Sequence, residues 1–193
     1  MTLPGAFRRV AHDEVGSTNA EALRLAEAGA PEFTLVTTRW QTAGRGRRGK
    51  TWVSPEGNLY ASIVLRPDRP PAVLSQLSFV VALAAGDLLD RLGVQCRIAF
   101  KWPNDVLVEG AKISGILLEG GQGHLVAGIG VNLAHHPADT PYPTEVAVPT
   151  SRRRLLSWAT RFSDGIGAGS TRASRPSARP GLPALPASAA RSG

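Results

Sequence analysis

Cysteine and methionine occur once each in the 193 residues, and aromatic side chains make up only 6%. Each scarcity excludes something. A lone thiol, Cys96, rules out an intramolecular disulfide and a cysteine-based zinc cluster, and the four histidines are scattered apart from the His135-His136 pair. A reducing cytoplasm is therefore the expected compartment. The opening Met1-Thr2-Leu3-Pro4-Gly5 has no charged leader before an apolar core, and no apolar run is read as reaching the roughly 18 residues that span a bilayer. Neither export nor membrane insertion is expected.

Acidic side chains are the next absence, and they are missing from one end. The formal charge of +7 would raise the expectation of a nucleic-acid partner if it lay on a folded face. It does not. Residues 1–149 carry fourteen basic and fourteen acidic side chains, whereas 150–193 hold eight arginines against the single Asp164. That tail is also rich in Pro, Ser, Gly and Ala and has almost no aliphatic periodicity beyond Leu156, so it offers too little apolar surface to offset chain entropy. The expected organisation is one folded domain over 1–149 and a disordered tail over 150–193.

Within the folded part, Ser17-Thr18-Asn19 precedes "AEALRLAEAG", a capped helix closed by Gly29. "EFTLVTTRW" and "NLYASIVLRP" read as strands, the second ended by Pro67, Pro70 and Pro71. Leu74, Leu77, Val80, Val81, Ala84, Leu88 and Leu92 mark one face of a long helix ending at Gly93. "RIAFKW" is a strand stopped by Pro103, "DVLVEGAKISGILLEG" a hairpin around Glu109-Gly110, and "HLVAGIGVNL" a further strand. Strands outnumber helices and neighbours can pair as hairpins. The expected class is α+β, with a mixed, largely antiparallel sheet flanked by helices.

Two stretches carry chemistry. "GRGRRGKTW", residues 44–52, crowds charge onto a glycine-rich backbone, where consecutive N–H groups can turn toward one anion and arginines add forked, permanently charged donors. Such arginines repel one another until an anion sits between them. Trp52 follows with a ring on which a purine could stack, or which could be a core aromatic. In "KWPNDVLVEGAKISGILLEG", Lys101, Asn104 and Asp105 cluster at a proline turn and Lys112 lies across the next hairpin. A lysine can stabilise developing negative charge, and an aspartate beside an asparagine can hold magnesium through oxygen. Gly115 would admit close backbone approach to a ligand, or mark a bulge.

In order, Ser17-Thr18-Asn19, "QTAGRGRRGKTW", "GNLYASIVLRP", "KWPNDVLV", "KISGILLE" and "GIGVNL" resemble the catalytic domain of biotin protein ligases over about residues 10–135. The resemblance implies the catalytic core shared with class II aminoacyl-tRNA synthetases. It implies a reaction in which biotin and MgATP give biotinyl-5′-adenylate and pyrophosphate, after which a lysine of a biotin carboxyl carrier domain attacks the anhydride. It assigns Ser17, Thr18, Asn19, Gln41, Gly44, Arg45, Gly46, Arg47, Lys112 and Gly115 to biotin, with Arg45, Gly46 and Arg47 also wrapping the acyl phosphate. Arg45, Arg47 and Lys112 are the catalytic cations. ATP falls to Lys50, Trp52, Lys101, Asn104 and Asn132, and Mg2+ to Asp105.

The motif at Ser17 leaves no room for the N-terminal DNA-binding module of bifunctional members, so DNA is not an expected partner. A homodimer stays open. The tail stands where such enzymes usually carry a small SH3-like barrel and has none of its alternating strands, so full activity is an open expectation. Lipoate–protein ligase, with the same fold and chemistry, is the near alternative; a nucleic-acid-binding module using the arginine loop is the distant one.

Overall fold

A computed structural model describes residues 7–94, 96–121, 123–138, 140–141 and 143–146. The stretch 150–193, expected to be disordered, lies outside the described residues. Among the described residues, seven strands and three α-helices follow one another as β1 (Arg8–Val15), α1 (Thr18–Glu27), β2 (Thr34–Gln41), β3 (Leu59–Leu65), α2 (Pro71–Leu74), α3 (Leu77–Arg91), β4 (Ile98–Lys101), β5 (Asp105–Val108), β6 (Ala111–Gly121) and β7 (His124–Val131). One sheet runs β1-β2-β3-β7-β6-β5-β4. The β1–β2 pair is parallel and every other neighbouring pair antiparallel, the mixed and largely antiparallel sheet that was expected.

Local chemistry explains most of the boundaries. Gly29, at φ 86°, ends α1 where L-residues would be strained, and the Ala30 N–H donates back to the Leu25 carbonyl at 2.9 Å. Glu109 and Gly110 both take left-handed φ, 48° and 85°, which matches the two-residue turn that the right-handed twist of paired strands favours. The strand β1 was not foreseen. Its sequence RRVAHDEV has few β-branched residues and no alternation, and its pairing with β2 at the sheet edge makes it a strand.

Residues directly opposite in neighbouring strands share a face, so the sheet divides cleanly. On one face Ala22 and Ala26 of α1 pack against Val36, Val64 and Val126. On the other, Ala82, Ala85 and Leu89 of α3 cover Val106, Val108, Ile113, Ile116 and Val131.

That second face corrects two expectations. The residues of α3 that reach the sheet are Ser78, Ala82, Ala85, Gly86 and Leu89, while Val80 and Leu83, 59% and 57% exposed, point away. Small residues let the helix approach closely: a Cβ on Gly86 would lie 2.9 Å from the Phe100 ring. The helix is apolar on nearly every side, so periodicity could not choose the buried stripe. An 18-residue window within 72–91 also has a mean hydropathy of 1.8, over a length sufficient to cross a bilayer, and 33% of that window is buried. An apolar run of that length is therefore present, contrary to expectation, and its small face belongs to the sheet core.

Candidate active site

Beyond the end of α1, the face that the helix covers opens into a slot, because the strands there carry glycine. Across one row Tyr60, Gly130, Gly115 and Asp105 stand opposite one another, and across the next Val36, Ser62, Gly128 and Leu117. The indole of Trp52 lies on the first row's glycines: a Cβ would meet it at 2.9 Å from Gly115 and 2.6 Å from Gly130. Its Nε1 is buried and makes no hydrogen bond. A donor in that state is costly unless something else fills the slot. The expected adenine platform is thus packed against the sheet through one face.

Ser17, Thr18 and Asn19 are all buried where α1 begins. Ser17 is the N-cap by backbone conformation, yet its hydroxyl makes no capping bond. Gln41 Oε1 accepts from the Thr18 N–H at 2.8 Å and from its hydroxyl at 3.2 Å, and Gln41 Nε2 donates to Ser54 Oγ at 2.8 Å. Ser62 Oγ, 2.8 Å from Thr18 Oγ1, donates to Asn19 Oδ1 at 2.6 Å. Asn19 Nδ2 then donates to the Leu117 carbonyl at 3.2 Å and to Glu119 Oε2 at 2.8 Å. The Asn19 amide is therefore committed within the protein, and it packs against Gly128, where a Cβ would fall 1.9 Å from Oδ1.

The arginine loop leaves β2 at Gln41 and returns through hydrogen bonds from Gly46 N to the Lys50 carbonyl (2.7 Å) and from Trp52 N to the Gly44 carbonyl (2.9 Å). Glycine is obligatory at 44, where a Cβ would lie 2.2 Å from the Trp52 carbonyl oxygen. Arg48 and Gly49 turn the chain at φ 55° and 72°. The arginines do not wait for an anion to relieve their repulsion. Arg45 Nη2 pairs with Glu119 Oε1 at 2.6 Å, and Arg47 Nη1 donates to Asn104 Oδ1 at 2.9 Å. Asn104 is in turn held to β6, its Nδ2 donating to the Ile116 carbonyl at 3.2 Å and its carbonyl accepting from Ile116 N at 2.8 Å.

Lys112 reaches the slot through an irregularity. The β5–β6 register pairs Val106 with Ser114 and Leu107 with Lys112, skipping Ile113. The extra residue reverses the alternation: Ile113 joins the core under α3, while Lys112 turns to the slot. Its Nζ lies 2.8 Å from Asp105 Oδ1 and 5.5 Å from the centroid of Trp52. All three catalytic candidates are thus fastened to one strand, Arg45 through Glu119, Arg47 through Asn104, and Lys112 directly.

Other expected residues stand farther out. Lys50 and Lys101 are exposed, and neither forms an ion pair among the described residues. Asn132 is buried, but its Nδ2 donates to the Glu145 carbonyl at 3.3 Å. Sequence reading gave no role to Ser62, Glu119, Gly128 or Gly130. The glycines carried a signal, the alternate pair of "GIG" in an apolar strand, where a side chain is missing from one face twice in succession. Tyr60 supports the segment that carries Trp52: burial pushes its phenol above the usual range, and the hydroxyl donates to the Pro55 carbonyl at 2.7 Å.

A family model for the biotin/lipoate A/B protein ligases matches residues 13–134, from β1 to the end of β7. The chain belongs to that family. The biotin–[acetyl-CoA-carboxylase] ligase of Paracoccus denitrificans is 52% identical over 130 residues, 63% of this chain and 52% of the relative. The bifunctional ligase/repressor BirA of Bacillus subtilis is 42% identical over 137 residues, 67% of this chain and 42% of the relative. This chain therefore spans about half the length of the curated relatives it matches or less. Among solved structures, the biotin protein ligase of Aquifex aeolicus in complex with biotin and ATP aligns with a TM-score of 0.64 at 30% identity, covering 82% of this chain and 70% of that one. Within this family, the slot and its three cations coincide with the motifs that carried the sequence resemblance.

Proposed function

We propose that the chain is the catalytic part of a biotin protein ligase: it joins biotin to ATP as biotinyl-5′-AMP with release of pyrophosphate, then passes biotin to a lysine of a biotin carboxyl carrier domain. The observation that carries this reading is the fastening of Arg45, Arg47 and Lys112 along β6, beside a glycine-floored slot. A carboxylate and an α-phosphate repel, and a bimolecular approach between them needs both screening and alignment. Cations already held in place supply the screening without reorganising during the reaction.

In this reading Ser17, Thr18 and Gln41 face the ureido head, and Asn19 braces them from behind. The carboxylate oxygen attacks the α-phosphorus, pyrophosphate leaves, and Lys112 stabilises the charge that gathers on the phosphoryl oxygens. In the second step the carrier lysine's amine attacks the acyl carbon and AMP departs with the electron pair. Trp52, Lys50, Lys101, Asn104 and Asn132 serve the nucleotide. Asp105, whose Oδ1 lies 2.8 Å from Lys112 Nζ, would be the protein carboxylate for a magnesium ion held otherwise by phosphate oxygens and water. Such an ion would neutralise charge on pyrophosphate. A cytoplasmic setting agrees with the lone cysteine.

Biotin-dependent exchange of labelled pyrophosphate into ATP is the direct test, with lipoate offered in parallel. Exchange with biotin is expected. Exchange with lipoate and none with biotin would reassign the substrate within the family.

A further inference from the structure

The carboxylate of Glu119 joins two partners from different segments, the first turn of α1 and the arginine loop. Its Oε2 accepts from Asn19 Nδ2 at 2.8 Å, and its Oε1 meets Arg45 Nη2 at 2.6 Å. We propose that Glu119 is a positioning residue that holds Arg45, at the anion end of the slot, in register with the Asn19 brace behind the head-binding residues. This inference rests on the proposed ligase reading and adds to it a residue that acts on substrate through another.

Three features separate this role from ordinary surface pairing. Exposed ion pairs contribute little because solvent screens them and two long side chains must be ordered. Glu119 is only 20% exposed at its side chain, and Arg45 46%. The acid also stands on a strand, opposite Val126 in the centre of the sheet, so one partner is rigid already. Second, the Asn19 amide is saturated by Leu117, Ser62 and Glu119, so rotation of Asn19 would break three bonds together. Third, Arg45 belongs to a loop with glycines on both sides, whose backbone has more conformational freedom to lose than any other kind. An anchor at the guanidinium removes that freedom before substrate arrives. One of the five guanidinium donors is spent on Glu119, and the remainder can face a carboxylate or phosphate. The carboxylate thus ties the Arg45 guanidinium to the Asn19 brace through one rigid strand residue.

Biotin itself is the probe, bound to the full chain and followed by calorimetry, with melting temperature recorded alongside. Glu119→Asp keeps the charge and shortens the reach, so it cannot touch both partners; biotin affinity should fall about tenfold, the usual loss for a charge-assisted hydrogen bond. Glu119→Ala should fall at least as far. In an Arg45→Ala background the further change to Glu119→Ala should alter affinity by no more than about twofold, because its effect runs through Arg45. Wild-type affinity in Glu119→Asp overturns the inference, and so do full, additive losses in the double variant. A lowered melting temperature with unchanged biotin affinity also overturns it, because it marks a purely structural acid. Wild-type protein that binds no biotin overturns the ligase reading and this inference together, whereas binding that Glu119 does not influence overturns this inference alone.

Discussion

The two faces of the central sheet are made by the same strands and could hardly differ more. Under α3, alternate residues are Val106, Val108, Ile116 and Val131, closed by a helix whose contact stripe is mostly small residues. Beyond α1, the intervening positions are Ser62, Gly128, Gly130, Gly115 and Glu119, with polar side chains bonded sideways to one another. The first face is filled and needs nothing more. The second has glycines where Trp52 and Asn19 lie against the strands, and it is rimmed with charge. Placing both on one set of strands lets the packed face hold the other rigid, so the polar network keeps its geometry without a core of its own.

If that division holds, one substitution on each face should separate activity from stability. Lys112→Ala carries the largest expected effect. In the proposed reaction its ammonium acts on developing charge, and removing one such contact raises the barrier by about 3–4 kcal/mol, a loss of roughly two to three orders of magnitude in rate. Pyrophosphate exchange should fall by that amount while the cooperative melt persists. Exchange at the wild-type rate would show that the bulge at Ile113 delivers this lysine to the slot for some purpose other than catalysis.

Leu89→Ala is the converse. The side chain, on the sheet-facing side of α3, is fully buried, so truncation removes transfer energy and leaves a cavity, with an expected loss of about 2–3 kcal/mol in unfolding free energy. Biotin affinity of the remaining folded protein should be unchanged. A denaturant melt and a binding isotherm on the same preparation would check both halves, and a large fall in affinity would mean that the faces are coupled more tightly than their separate side chains suggest.

This contrast also explains what could be read from the chain alone. The hairpins were legible because Glu109-Gly110 and the alternating strands around it encode a local geometry. The slot residues were legible through a family resemblance whose motifs are short and contiguous. Hidden were the relations that depend on pairing between distant segments. Nothing near Arg45 in sequence announces Glu119, and nothing in "GAKISG" says that Ile113 is the extra residue that turns Lys112 around. The buried stripe of α3 was misread for a related reason: with apolar residues on most sides, only contact with the sheet selects the glycine-alanine side, Phe100 against Gly86 and the core valines and isoleucines against Ala82 and Ala85. The polar strand β1 exists because β2 offers it an edge.

The smallest expected effect falls on α1, whose first turn serves the slot and whose outer side does not. Arg24 donates to both carboxylate oxygens of Glu21, at 2.9 and 2.7 Å, and His12 Nε2 lies 3.8 Å from Oε1. The hydrogen bond from Arg24 is the leading cause that holds the Glu21 carboxyl below its ordinary value of 4.5, against the opposing effect of partial burial. A carboxyl with a depressed folded-state pKa adds stability above its unfolded value and loses it as the pH falls through the folded one. Glu21→Gln should therefore melt slightly below wild type near neutral pH, and the gap should close on acidification below the ordinary carboxyl range. Arg24 is 64% exposed on the outer side of the helix and three residues from its partner, so the gap is small and shrinks with added salt. Thermal melts of both proteins from pH 7 to pH 3 test the sign directly, and biotin affinity measured at pH 7 tests the division of the helix. A gap that widened in acid would mean that Glu21 is favoured in its protonated form, while a change in biotin affinity would extend the slot's network one turn farther along α1 than Thr18 and Asn19 carry it.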